Sequence, residues 1–183
     1  MKNNLFAGSK LILRAFFAAF VVCLLMNQSA FSQKSKTAGI AASTNAYTNL
    51  LGGFGDDENE IFTLVNQERR KKRLGNLSWD DRLARVARKY SQQMAKGNFF
   101  GHFDKNGNGV EERAEADKIK WKKIGENLFF CQGIDDFDAA AVIGWMKSPG
   151  HRENILDKDW TTTGIGVAES RDGKIYVTQV FVK

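Results

Sequence analysis

The chain has 183 residues, of which 43% are hydrophobic and 26% charged; this suits one domain with an appendage and excludes a wholly disordered chain. Its formal charge of +6 is partly a property of the N-terminus, because three of the 27 basic residues and no acidic ones lie in the first 32 positions, leaving 24 basic against 21 acidic. So small an excess does not argue for a nucleic-acid partner.

Lys2, Lys10 and Arg14 lead into an apolar run, Ala15 to Met26, followed by Ala30-Phe31-Ser32 with small residues at the two positions a signal peptidase reads. A basic start, an apolar middle and a small-residue exit predict a secretory signal peptide over 1–32 and a secreted or periplasmic protein. The run is shorter than the ~20 residues a spanning helix needs. An uncleaved anchor is the rival reading. Phe20-Val21-Val22 before Cys23 are bulkier than lipoprotein processing favours. No other segment reads as membrane-spanning, so membrane association is expected only through an uncleaved signal. Beyond the signal one cysteine remains, Cys131. It allows no internal disulfide and reads as a small buried hydrophobe.

Residues 33–56 are rich in Ser, Thr, Ala, Asn and Gly and read as a flexible tether. A single domain is expected over 57–183. It opens with a helix that has Asp56, Asp57 and Glu58 at the positive end of its dipole. Ile61, Leu64, Val65 and Glu68 share a face, the basic run Arg69 to Arg73 reads as a solvated helix end, and Gly75 as the stop. Leu77-Ser78-Trp79-Asp80 leads into a second helix. There Leu83, Val86, Ala87, Tyr90 and Met94 recur at the spacing of one buried stripe. Phe99 to His102 reads as an irregular turn, Asp104 to Gly109 as a turn-rich loop, and Val110 to Lys118 as a short helix.

Ile124 to Cys131 is a predicted strand. Asp135 or Asp136 is expected to cap a helix whose apolar positions are Ala140, Ile143 and Met146. Pro149-Gly150 are expected to form a sharp turn that aims His151. Thr163 to Ala168 and Lys174 to Val182 are predicted strands, joined through the hairpin signal Arg171-Asp172-Gly173. Helices and strands mix without regular alternation, so the fold class is α+β.

The candidate chemistry gathers on the only two histidines, His102 and His151, with Glu126 between them in sequence. Neutral imidazoles and a carboxylate can ligate zinc or share protons near neutral pH. The spacing alone does not establish convergence, and the alternative is that each side chain ties down its own turn. There is no His-Glu-x-x-His, no cysteine pair and no Gly-x-Ser-x-Gly. Ser148 has no evident base partner. Tyr90, Trp79, Trp145 and Trp160 read as packing residues. Asn127 and Asn154 read as ties to backbone groups.

Six segments occur in an order that resembles a known family: Leu64 to Arg69, Leu77 to Asp80, His102, Gly125-Glu126-Asn127, Trp145 to Leu156 and Thr178 to Phe181. Together they are similar to the CAP superfamily (cysteine-rich secretory proteins, antigen 5 and pathogenesis-related 1 proteins; SCP domain), in its bacterial, cysteine-poor branch. The resemblance implies a three-layer α-β-α sandwich with a central antiparallel sheet, and a cleft lined by two histidines and two acids. His102, Glu126 and His151 match three of these. The fourth, a glutamate eleven residues after the first histidine in eukaryotic members, is replaced here by Arg113. Glu111, Glu112 and Glu115 do not match by count.

The resemblance implies a binding module for a divalent cation such as zinc, held by His102 and His151 with Glu126 nearby, or for a small ligand, a lipid or a protein partner. Two alternatives stay open. One is a metal-assisted hydrolase or peptidase with His102, Glu126 and His151 as catalytic candidates; the other is a structural envelope protein with a degenerate cleft.

Overall fold

Packing of one helix against a pair of strands sets this architecture. The computed structural model describes residues 55–183, which lie within one unit of the chain, Ala41–Lys183. The expected signal peptide and nearly all of the expected tether lie outside the described residues. In chain order the elements are α1 (Gly55–Lys71), β1 (Ser78–Trp79), α2 (Asp81–Gly97), α3 (Val110–Ala116), β2 (Ile124–Gln132), α4 (Phe137–Lys147), α5 (Pro149–Leu156), β3 (Thr162–Glu169) and β4 (Lys174–Val182). Helix α1 therefore takes in Gly55 and Asp56, the last two residues of the expected tether.

The four strands form one sheet in the order β1-β3-β4-β2. Strands β2 and β3 both run antiparallel to β4. The short β1 pairs parallel with β3, Ser78 opposite Thr162 and Trp79 opposite Thr163. The sheet is thus mixed rather than wholly antiparallel. The long connection from β1 to β3, through four helices and β2, is what permits parallel pairing.

Helices cover both faces. On one side α2 lies across β3 and β4, and α3 packs beside it against β2. Here Leu83, Val86 and Ala87 of α2 meet Val180 and Val182, while Tyr90 and Met94 meet Leu128, Ala168 and Tyr176. On the other side α1, α4 and α5 close over Ile165, Val167, Ile175, Val177 and Phe181, with Cys131 buried among them. Strand β4 is buried along almost its whole length, as a strand sandwiched between two helical layers must be. The alternation along it sorts side chains between two cores, not between core and solvent.

The seat of α2 on β3 needs glycine. A Cβ at Gly164 would lie 2.1 Å from the Ala84 nitrogen, and one at Gly166 would lie 2.0 Å from the Arg88 nitrogen. The helix backbone presses directly on the strand, and no side chain can intervene. Ser91, fully buried, donates from Oγ to the Gly166 carbonyl at 2.9 Å and pairs with Thr178 Oγ1 at 2.8 Å. The predicted stripe of α2 is buried in full, and Asp80 caps the helix by accepting from Arg82 N at 2.7 Å.

Three local expectations give way to tertiary contacts. The basic end of α1 is not wholly solvated: Arg69 is 1% exposed. Its Nη1 donates to the Ile155 and Asp157 carbonyls and its Nε to the Gly75 carbonyl, all at 2.8 Å. Helix α4 buries Phe137, Ala141, Val142 and Trp145 instead of the expected face, and Ile143 is exposed. The Trp145 indole donates to the Leu128 carbonyl at 2.9 Å, which sets the roll of the helix. Pro149 and Gly150 do not form a turn that ends a helix. They begin α5, with Pro149 in the first turn, where its missing N–H is not needed.

The glycine seat yields a stability prediction. Gly166→Ala is expected to destabilise the fold by about 3 kcal/mol or more, since the new methyl must displace backbone and not a pliable side chain. Urea unfolding with an unchanged m-value would measure it. A loss within about 0.5 kcal/mol of zero, the range of ordinary surface changes, would show that the helix is free to move away.

Candidate functional site

Three of the side chains at the site come from three different settings. His102 sits in the loop between α2 and α3, Glu126 in the edge strand β2, and Arg113 on α3. The loop is held by its own polar groups. Asp104 accepts from the backbone N–H of Asn106 at 2.8 Å and of Asn108 at 2.9 Å. Those bonds hold its carboxyl below the usual carboxylate range. Glu112 reaches back to the Gly109 N–H at 2.7 Å, closing the start of α3. The Tyr90 hydroxyl on α2 donates to the Gly101 carbonyl, next to His102. Burial, the largest cause, pushes that phenol up to about 12, so it remains a donor throughout the neutral range.

The strand's register decides where Glu126 points. Paired with Val180, it faces the α2–α3 layer and its side chain is only 3% exposed. Its Oε1 lies 2.9 Å from His102 Nδ1, and its Oε2 accepts from Arg113 Nη2 at 2.5 Å. A buried carboxylate is tolerated only when such partners satisfy it. The contact with Glu126 favours the His102 tautomer with hydrogen on Nδ1, which leaves Nε2 as the acceptor on the exposed side. The His102 ring is about half exposed.

Arg113 does more than neutralise Glu126. Its Nη1 donates to the Asn108 carbonyl at 2.9 Å and the His102 carbonyl at 3.2 Å, and its guanidinium lies 3.4 Å over the Tyr90 ring. It therefore joins α2, the His102 loop and β2. Sequence reasoning marked position 113 as a mismatch and missed this role. The available signal was a cation at the place where the resemblance implies an acid.

His151 is the third residue of α5. The neighbouring residue in β2, Asn127, faces the opposite layer and is fully buried. Its Nδ2 donates to the His151 carbonyl at 3.1 Å. Asn154 Nδ2 donates to the Glu126 carbonyl at 3.2 Å and to Asn127 Oδ1 at 3.0 Å. These asparagines tie α5 to the strand at the position of Glu126, in keeping with the backbone-tying role read from the sequence. The Trp160 indole stacks on Phe181 at 5.8 Å, a packing role. His102 and Glu126 are thus in direct contact. His151 is close enough that charge on His102 affects it: burial chiefly, and then His102, lowers its pKa below the ordinary histidine value.

A divalent cation such as zinc, which the resemblance implies, does not fit this donor set. Both oxygens of Glu126 are engaged, one of them by a cation. Among the described residues, no group of three or more His, Cys, Asp or Glu side chains is placed to hold a metal ion. Two imidazoles without a free carboxylate fall short of the three protein ligands of a catalytic zinc site.

The depressed pKa of His151 has a definite sign. A base whose folded value lies below its unfolded value of about 6.5 is neutral in the fold at neutral pH. It costs nothing above that pH and destabilises the fold as pH falls below it. Following the ring protons by NMR, the His151 midpoint is expected below 6.5 in the wild type and higher in His102→Ala, yet still depressed because burial is the larger cause. A midpoint unmoved by His102→Ala would show that the two rings do not interact.

Comparison with known proteins places this geometry. Residues 62–181 match the model of the CAP family, described as the cysteine-rich secretory protein family. The membrane protein YlbC of Bacillus subtilis is 37% identical over 126 residues, covering 69% of this chain and 34% of that protein. The protein YkwD of the same organism is 34% identical over 148 residues, covering 81% and 55%. The chain thus spans only a third to about half the length of these curated relatives. The crystal structure of an extracellular protein containing an SCP domain from Bacillus anthracis superposes with a TM-score of 0.62 at 29% identity, over 70% of this chain and 40% of that one.

Proposed function

Because this chain belongs to the cysteine-rich secretory protein (CAP) family, we propose that it is an exported binding module. The site it offers, where His102 meets the Glu126–Arg113 pair with His151 near it, takes a small ligand or a polar group of a partner. The observation that carries this reading is the engagement of both Glu126 oxygens, by His102 Nδ1 and Arg113 Nη2. A general base must be free to take a proton, and a carboxylate nucleophile must have an open oxygen. Each Glu126 oxygen already has a hydrogen-bonded partner, which disfavours both roles. Glu126 serves as a buried anchor that orients an imidazole.

What the cleft offers is hydrogen bonding. The outer nitrogen of His102 accepts, and the neutral ring of His151 adds an acceptor and a donor. Phe100 and Phe103, two of the exposed large hydrophobics, flank His102 in the loop. They give a ligand apolar surface beside the polar edge, the mixture usual in ligand sites. A lipid or small apolar molecule carrying one polar group suits that combination. Export is supported by the signal-like N-terminus and by the extracellular and membrane descriptions of the relatives. No helix among the described residues is long and apolar enough to cross a membrane.

A fragment screen by ligand-observed NMR would test the reading, with His102→Ala/His151→Ala as the counter-screen. Losing two neutral hydrogen bonds of about 0.5–1.5 kcal/mol each is expected to weaken binders at this site by roughly five- to a hundredfold. Hits that bind the double variant as well as the wild type would place binding elsewhere. A peptide-library digest gives the hydrolase reading its chance: cleavage lost in Glu126→Gln would favour an enzyme over a binding module.

A further inference from the structure

We propose that Arg113 is a built-in counter-cation that closes this cleft to divalent metal ions, so that the site works without metal. A buried carboxylate such as Glu126, with a 3% exposed side chain, requires a positive partner. In a metal site the ion supplies that charge. Here a guanidinium supplies it, from the eleventh position after His102.

The guanidinium is fixed by more than one charge. Its Nη2 holds Glu126 Oε2 at 2.5 Å, and its Nη1 holds two carbonyls of the His102 loop, Asn108 and His102. The Tyr90 ring lies beneath it at 3.4 Å, a geometry in which the ring quadrupole favours a cation. The side chain is only 10% exposed, so it cannot swing away to solvent without leaving Glu126 uncompensated. A guanidinium keeps its charge in proteins. Its charge, unlike that of a histidine, cannot be shed to admit a metal.

Two consequences bear on a metal. An ion on the outer nitrogen of His102 could not draw on Glu126, whose oxygens face Nδ1 and Arg113. It would also be repelled by the permanent positive charge of Arg113, which is itself only 10% exposed. The same arrangement explains how the site keeps its shape unaided. Arg113 links the His102 loop to β2, a task that a metal bridging histidine and glutamate would otherwise perform. This inference is independent of what the cleft binds, and would stand if no fragment were found.

Isothermal titration of the purified chain with zinc chloride tests it. The wild type is expected to give the same heat as His102→Ala/His151→Ala. Zinc binding in the wild type that disappears in the double variant would overturn the proposal. Arg113→Gln removes the charge and frees Glu126 Oε2. It is expected to bind zinc at least tenfold more tightly than the wild type, to lose that gain when His102→Ala is added, and to gain thermal stability from zinc that the wild type does not. Arg113→Lys keeps the charge and is expected to exclude zinc as the wild type does. If Arg113→Gln folds and its zinc affinity is unchanged from the wild type, the proposal fails. If it does not fold, the comparison of wild type with the double histidine variant decides alone.

Discussion

Helix α2 rests on β3 at backbone-to-backbone distance, and the other contacts of the domain take their places from that seat. A Cβ on either Gly164 or Gly166 would overlap the helix backbone, so the strand must be bare along one face where the helix crosses. With α2 held there, Tyr90 reaches the Gly101 carbonyl and lies under Arg113. The position of the His102 loop is therefore inherited from a steric condition at the contact of α2 with the neighbouring strand. A helix seated farther out would leave Tyr90 short of the loop and Arg113 without its aromatic floor.

Buried charge completes what packing begins. Arg69, Glu58 and the Glu126–Arg113 pair are each nearly or wholly out of solvent, and each joins segments distant in sequence. Glu58 of α1 receives Arg88 of α2 and the Val167 backbone N–H of β3. Arg69 of α1 holds the end of α5 through two carbonyls. Such groups contribute little net stability compared with apolar replacements, but losing one partner leaves a charge stranded, at about 3–5 kcal/mol. Their effect is to make the arrangement of helices around the sheet specific. Glu126 and Arg113 belong to this class, which is why the site reads as part of the framework as much as a reactive centre.

The sequence showed most of the fold through local physics. The stripe of α2 was visible because its apolar spacing matches the helix repeat, and the β3–β4 hairpin because turn chemistry and strand alternation agree. Where local pattern and tertiary demand differ, the reading failed in a consistent way. Arg69 looks solvated in a basic run because nothing nearby announces the carbonyls of Ile155 and Asp157, almost ninety residues on. The buried face of α4 is set by the Trp145 indole finding the Leu128 carbonyl, not by the spacing of its own apolar residues. The short β1 pairs parallel to β3 because the intervening chain passes over the sheet, a path that no local window contains.

At the site the division is sharper. His102, Glu126 and His151 could be picked out from the sequence because they are scarce or set in distinctive segments, and because the ordered segments resemble the CAP family. Their chemical standing could not. Glu126 is a free acid on paper, and the fold makes it a buried anchor shared between an imidazole and a guanidinium. Arg113 is one of 27 basic residues in the sequence, and the fold makes it the counter-charge of Glu126. The sequence by itself determined which side chains were available, since residue type and local spacing are properties of the chain. Only the tertiary structure decided which of them meet, because a hydrogen bond or ion pair is a relation between points in space that the intervening chain does not encode locally.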